Sequence, residues 1–135
     1  MKKIFILICL LSSLSYSQRT GAKIFAQQSE YDFGKIKAGE TVTHDFVILN
    51  NGGDKLIINN VRAGCGCTAV KPEKSILLPG ESTKINVKFD SNGRTGQQKK
   101  FVYVDSNDEA NPYLTLSFTA DILEPTKSSK VKTKK

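Results

Sequence analysis

Two cysteines one residue apart, Cys65 and Cys67, are the side chains best suited to chemistry in this sequence. They lie in the run Gly64-Cys65-Gly66-Cys67-Thr68, after the apolar stretch Leu56-Ile57-Ile58 and before Pro72. Three chemistries are open to thiols at this spacing. A disulfide between them needs a bend that brings the two Cα atoms within bonding reach. Gly66, with Gly64 before it, allows such a bend, and an exposed bond of that kind is readily reduced and exchanged. Two thiolates also begin a soft-metal site. Two ligands are too few, however, and His44 is the single histidine that could add a nitrogen. The third reading is structural: two small side chains, two glycines and Thr68 forming a corner between strands. The one-residue spacing and the lack of a βαβ pattern argue against a thioredoxin-type motif.

The remaining polar residues offer less. His44 shares a strand face with Phe46, where a hydrogen-bonded structural role is expected unless it lies beside the cysteines. Asp105, Asp108 and Glu109 crowd one polar loop and read as solvated. With one histidine, no Ser/His/Asp arrangement is visible, and no glycine-rich phosphate loop is present. Nothing in these motifs calls for a cofactor, and the chain reads as a non-enzyme.

The elements that must position the cysteine pair begin after a leader. Lys2 and Lys3 form a basic start, Ile4 to Leu14 a short apolar core, and Ser15-Tyr16-Ser17 a small-residue cleavage site. This predicts a signal peptide over 1–17 and an exported, periplasmic or extracellular protein. The alternative is a short membrane anchor, but no apolar run reaches the roughly 20 residues that span a bilayer. Cys9 leaves with the leader, so Cys65 and Cys67 become the only cysteines in an oxidising compartment.

The charge follows the same division. The chain of 135 residues carries +7, of which Lys2 and Lys3 belong to the leader. The segment from Glu124 to Lys135 holds a net +4, leaving the body about +1 (5 minus 4). The basic balance therefore belongs to a Lys-rich tail, and no nucleic-acid footprint is visible on the folded part. Without interleaved aromatics the tail also lacks a base-stacking surface. It reads as a disordered, solubilising end over 124–135, with a loose tether to an anionic envelope as the functional alternative.

Between leader and tail, short alternating runs are broken by turn residues about every ten positions. Ile24 to Ala26 and Tyr31 to Ile36 read as one opening edge region interrupted by Gln27 to Glu30. Thr41 to Asn50, Leu56 to Val61, Thr68 to Lys71, Thr83 to Asp90, Lys99 to Val104 and Leu114 to Ile122 follow as strands, with Ile76 to Leu78 as a brief apolar run. Ile85, Val87 and Phe89 alternate with Lys84, Asn86 and Lys88, so one row faces a core and the other faces water. Phe101/Tyr103 and Val102/Val104 leave the register of their strand open. The pattern predicts an all-β, antiparallel sandwich of about seven strands over 24–123.

At this point the residues resemble a known family. Tyr31-Asp32-Phe33-Gly34-x-Ile36-x-x-Gly39, Phe46 with Asn50-Asn51-Gly52, Cys65-Gly66-Cys67-Thr68, and Pro79-Gly80-Glu81 with Phe89 are similar to the bacterial secreted domain of unknown function 1573. The resemblance runs from about Glu30 to Ile122, and the Cys-Gly-Cys-Thr segment is its most specific part. It implies an immunoglobulin-like β-sandwich in an exported bacterial protein, and it implies no enzyme activity. The function expected is binding of a protein or cell-envelope component. Thiol–disulfide exchange or soft-metal handling through Cys65 and Cys67 is the alternative.

Overall fold

A computed structural model describes residues 21–124. The leader expected over 1–17 lies outside the described residues, as does all but Glu124 of the tail expected over 124–135.

Nine strands and no helix form among them: β1 (Ile24–Ala26), β2 (Glu30–Lys37), β3 (Thr41–Asn50), β4 (Leu56–Ala63), β5 (Thr68–Pro72), β6 (Ile76–Leu77), β7 (Ser82–Asp90), β8 (Gly96–Ser106) and β9 (Tyr113–Leu123). They build two sheets, a four-stranded one in the order β1-β3-β7-β5 and a five-stranded one in the order β2-β9-β8-β4-β6. The sandwich is the architecture that the alternating pattern predicts. Two details differ. The opening region divides into β1 and β2 on different sheets, and Ile76-Leu77 forms its own short strand, so the count exceeds seven. Also, β2 runs parallel to β9 while every other pair is antiparallel. A strand's direction relative to a partner some 90 residues away leaves no trace in its own periodicity.

The core lies between the sheets. Phe46, Ile48, Ile85, Val87 and Phe89 come from the four-stranded sheet, and Val102, Val104, Leu116, Phe118 and Ile122 from the other. Phe89 and Phe118 meet across the gap with ring centroids 5.3 Å apart. A fully buried side chain of this size contributes about 1.5–3 kcal/mol of transfer free energy. The open register of β8 is settled by its partner: Val102 sits opposite Leu116 and Val104 opposite Leu114. The valines therefore face the core, and Phe101 and Tyr103 face outward.

Asn50 closes one end of the sandwich. Fully buried, it donates from Nδ2 to the carbonyls of Asp54 (2.8 Å) and Leu77 (3.0 Å), and its Oδ1 accepts the Gly52 N–H (3.0 Å). The chain doubles back so closely there that a Cβ on Gly52 would sit 2.5 Å from the Lys23 amide nitrogen.

The outer strands are poor templates for a further strand. β1 has three residues and β6 two. β5 ends on Pro72, which has no N–H to offer. β2 slips in register between Asp32 and Lys35, with Gly34 at φ +66°. Short, proline-bearing and bulged strands are standard ways of closing an edge to pairing.

Candidate functional site

The run Gly64 to Thr68 carries the chain from one sheet to the other. β4 ends at Ala63 in the five-stranded sheet, and β5 begins at Thr68 in the four-stranded one. Each end is tied to its own sheet. The Gly64 N–H donates to the Phe101 carbonyl of β8 at 2.9 Å, and the Asp90 N–H of β7 donates to the Cys67 carbonyl at 3.0 Å. A longer bond from the Thr68 N–H to the Cys65 carbonyl, 3.4 Å, closes the turn.

The two sulfurs lie together in this turn, 2.03 Å apart, with Cα atoms 5.4 Å apart. Both cysteines are half-buried. The buried Thr68 hydroxyl lies 3.6 Å from the Cys65 Sγ and 3.7 Å from the Cys67 Sγ. The glycines contribute less than their types suggest. Neither Gly64 nor Gly66 takes up a left-handed φ, and a Cβ on Gly66 would meet nothing within 4 Å. On Gly64 it would make ordinary contacts, 3.4 Å to the Phe101 carbonyl oxygen and 3.6 Å to the Tyr103 ring. The bend thus rests on the anchoring bonds to β7 and β8 and not on glycine's freedom.

His44 stands elsewhere. On β3 it pairs with Val87, and its imidazole lies flat on Tyr31 of the other sheet, with centroids 3.6 Å apart and planes 11° off parallel. Phe33 and Phe46 meet it edge-on. Burial pushes its pKa below the usual imidazole value, partly offset by the neighbouring Asp45 carboxylate. Among the described residues no three His, Cys, Asp or Glu side chains converge on a common point.

The acidic loop also separates. Asp108 is buried, not solvated. Its carboxylate accepts the N–H of Ile24 (3.0 Å), Ala110 (3.0 Å) and Asn111 (3.1 Å), which binds the loop to β1. Glu109 stays exposed. Proximity in sequence does not reveal that one carboxylate of the group faces a ring of backbone donors.

What the sequence pattern missed is the outer face of the five-stranded sheet. There the Arg62 guanidinium lies 4.6 Å above the Tyr103 ring, and the Lys99 ammonium 5.8 Å from the Phe101 ring. Phe101 is 40% exposed and Tyr113, further along on β9, 71%. The opposite face of the molecule carries a polar cluster, in which Asp45 accepts from Asn86 at 2.7 Å and pairs with Lys84 at 3.7 Å, and Phe25, 49% exposed. The signal that identifies the aromatic face is the pairing of β8 with β9. Leu114 and Leu116 alternate unambiguously, and they force Phe101 and Tyr103 outward.

A family model described as a protein of unknown function, DUF1573, matches residues 24–122. No curated protein matches the chain. Among solved structures, a protein of unknown function from Porphyromonas gingivalis W83 superposes with a TM-score of 0.68 at 19% identity, over 79% of this chain and 50% of that one. The PapD-like domain 7 of human CEP192 gives 0.62 at 14% identity, over 76% of this chain and 87% of that one. The VesB protease of Vibrio cholerae gives 0.61 at 16% identity, over 76% of this chain and 32% of that one. The chain thus spans half of the Porphyromonas protein and about a third of the protease, and at these identities the likeness is one of fold. Among the described residues no helix is long and apolar enough to cross a membrane.

Proposed function

The chain belongs to the protein family of unknown function DUF1573, and we propose that it is an exported, non-enzymatic β-sandwich module that binds a protein or another cell-envelope component. The docking surface is the outer face of the five-stranded sheet. One observation carries this reading: Arg62, Phe101, Tyr103 and the 71% exposed Tyr113 share that face. Arginine and tyrosine are residue types enriched in binding hot spots, and tyrosine brings a large contact area with few rotatable bonds. The closed edges of the sandwich favour a face over strand addition. Export rests on the leader, and the cysteines stabilise the corner that holds β8 through the Gly64–Phe101 bond.

The test is co-sedimentation of the full chain with isolated cell envelopes. Changing Tyr103 and Tyr113 together to serine is expected to abolish association and leave the fold intact. Association unchanged in that variant overturns the assignment of the face.

The incomplete burial of Cys65 and Cys67 favours a second reading, thiol–disulfide exchange at this pair. Exposure to a partner thiol is what exchange requires. Thiol titration of the native protein separates it from the first: a pair that exchanges with a reduced partner supports it, and an inert pair removes it.

A further inference from the structure

The same outer face has a second feature, a groove where β2, β9 and β8 run side by side. Between Asp32 and Lys35 β2 advances one residue more than β9. The Asp32 carboxylate holds this bulge by accepting the Gly34 N–H and the Thr119 hydroxyl, each at 2.9 Å. At the bulge lies an open cleft of about 650 Å³, walled by Asp32, Lys35, Gln97, Lys99, Thr119 and Asp121. A smaller recess of about 280 Å³ shares Asp32, Lys99 and Thr119 and extends the cleft past Glu30 and Ser117. Gly34, at the bulge, adds no side chain to the wider part.

The lining selects by hydrogen bonding, not by charge. In the wider cleft two carboxylates face two ammonium groups, so an anion or a cation would meet as many like charges as opposite ones. In register the Thr119 hydroxyl lies between Asp32 and Lys99, and the Asp121 carboxylate between Lys35 and the Gln97 amide, so each row offers both donors and acceptors. A sugar hydroxyl is the group that uses both, since it donates one hydrogen bond and accepts two. Phe101, 40% exposed and the register partner of Ser117 in the smaller recess, offers an apolar ring on the same face for the C–H face of a pyranose. A peptide would gain most by adding a strand at an edge, and the bulge in β2 closes the edge nearest the groove.

We propose that this groove binds an uncharged glycan chain. The inference rests on the envelope-docking reading and names the chemical class of its target. Isotope-labelled full chain is titrated with cellohexaose, xylohexaose and the hexamer of N-acetylglucosamine, with hexaglutamate and hexalysine as charged peptide probes. At least one sugar is expected to shift the resonances of Gln97, Lys99, Thr119 and Asp121 saturably. The double variant Gln97→Ala and Lys99→Ala should weaken that binding roughly tenfold, the effect of losing two hydrogen bonds. The proposal is overturned if no sugar binds, if a peptide shifts the groove and the sugars do not, or if the double variant binds as tightly as the original. Envelope co-sedimentation that persists without sugar binding would sink the glycan and leave the docking face standing. Sugar binding without co-sedimentation would do the reverse.

Discussion

Arg62 on β4 and Tyr103 on β8 are register partners, and the guanidinium lies 4.6 Å above the phenol ring. The next residue on β8, Val104, is fully buried. One strand therefore fills the core with one side-chain row and presents a cation-capped aromatic surface with the other. The corner at Cys65 and Cys67 reaches this surface through the Gly64 bond to Phe101. That link joins the family-marking motif to the proposed docking face.

The Arg62–Tyr103 contact should matter little for stability. Exposed cation–π pairs contribute about 0.5–1 kcal/mol, so Arg62→Ala is expected to lower the unfolding free energy by no more than that in denaturant titration. A loss of several kcal/mol would mean that Arg62 has a structural role beyond this contact.

The corner should respond differently to its two residue types. Cys65→Ser is expected to cost roughly 1–3 kcal/mol, through a poorly matched polar group and a looser turn. Gly66→Ala should stay within about 0.5 kcal/mol, because the new methyl meets open space and the backbone is not left-handed. Thermal melts of the two variants check this. If Gly66→Ala proves the worse of the two, the corner depends on glycine after all.

The other end of the sandwich should tolerate less. Asn50→Ala leaves the Asp54 and Leu77 carbonyls and the Gly52 N–H without their partner, an expected loss of roughly 2–4 kcal/mol. Gly52→Ala forces the backbone at Gly21 to Lys23 to move, at roughly 1–3 kcal/mol. Equilibrium unfolding in urea measures both. A variant as stable as the parent would show that the end can repack.

Much of the fold is legible in the sequence, and the exceptions share a cause. Ile85, Val87 and Phe89 alternate with polar and charged residues, so the local pattern alone identifies their inward face. The same holds for Leu114 to Ala120. Phe101 against Val102 cannot be decided that way, since the run from Phe101 to Val104 has no charged residue and only the pairing with Leu116 decides. Asp108 looks like its acidic neighbours because its donors include Ile24, 84 residues away. The groove depends on the bulge between β2 and its parallel partner β9, a relationship between chain ends. Local periodicity reports which row is buried; it does not report what a distant strand places beside it.

Stability should fall on mild acidification through His44. Its folded pKa is depressed by burial, so the unfolded chain takes up the proton first. The stabilisation is fully present above the unfolded value of about 6.5 and is lost as pH falls through that value toward the folded one. The window to follow therefore starts just above the unfolded histidine value of about 6.5 and runs downward from it. Melting temperatures across that window should decline for the parent and stay level for His44→Phe. Parallel slopes in the two proteins would contradict the assignment.

Docking through the outer face of the five-stranded sheet is the central claim, and site-directed photo-crosslinking tests it most directly. A photoreactive phenylalanine replaces Tyr103 in one protein and Asn86, on the outer face of the four-stranded sheet, in another. Each is exposed to isolated cell envelopes and irradiated. A covalent adduct is expected from position 103 and none from position 86. An adduct from position 86 alone, or equal labelling from both, contradicts the claim.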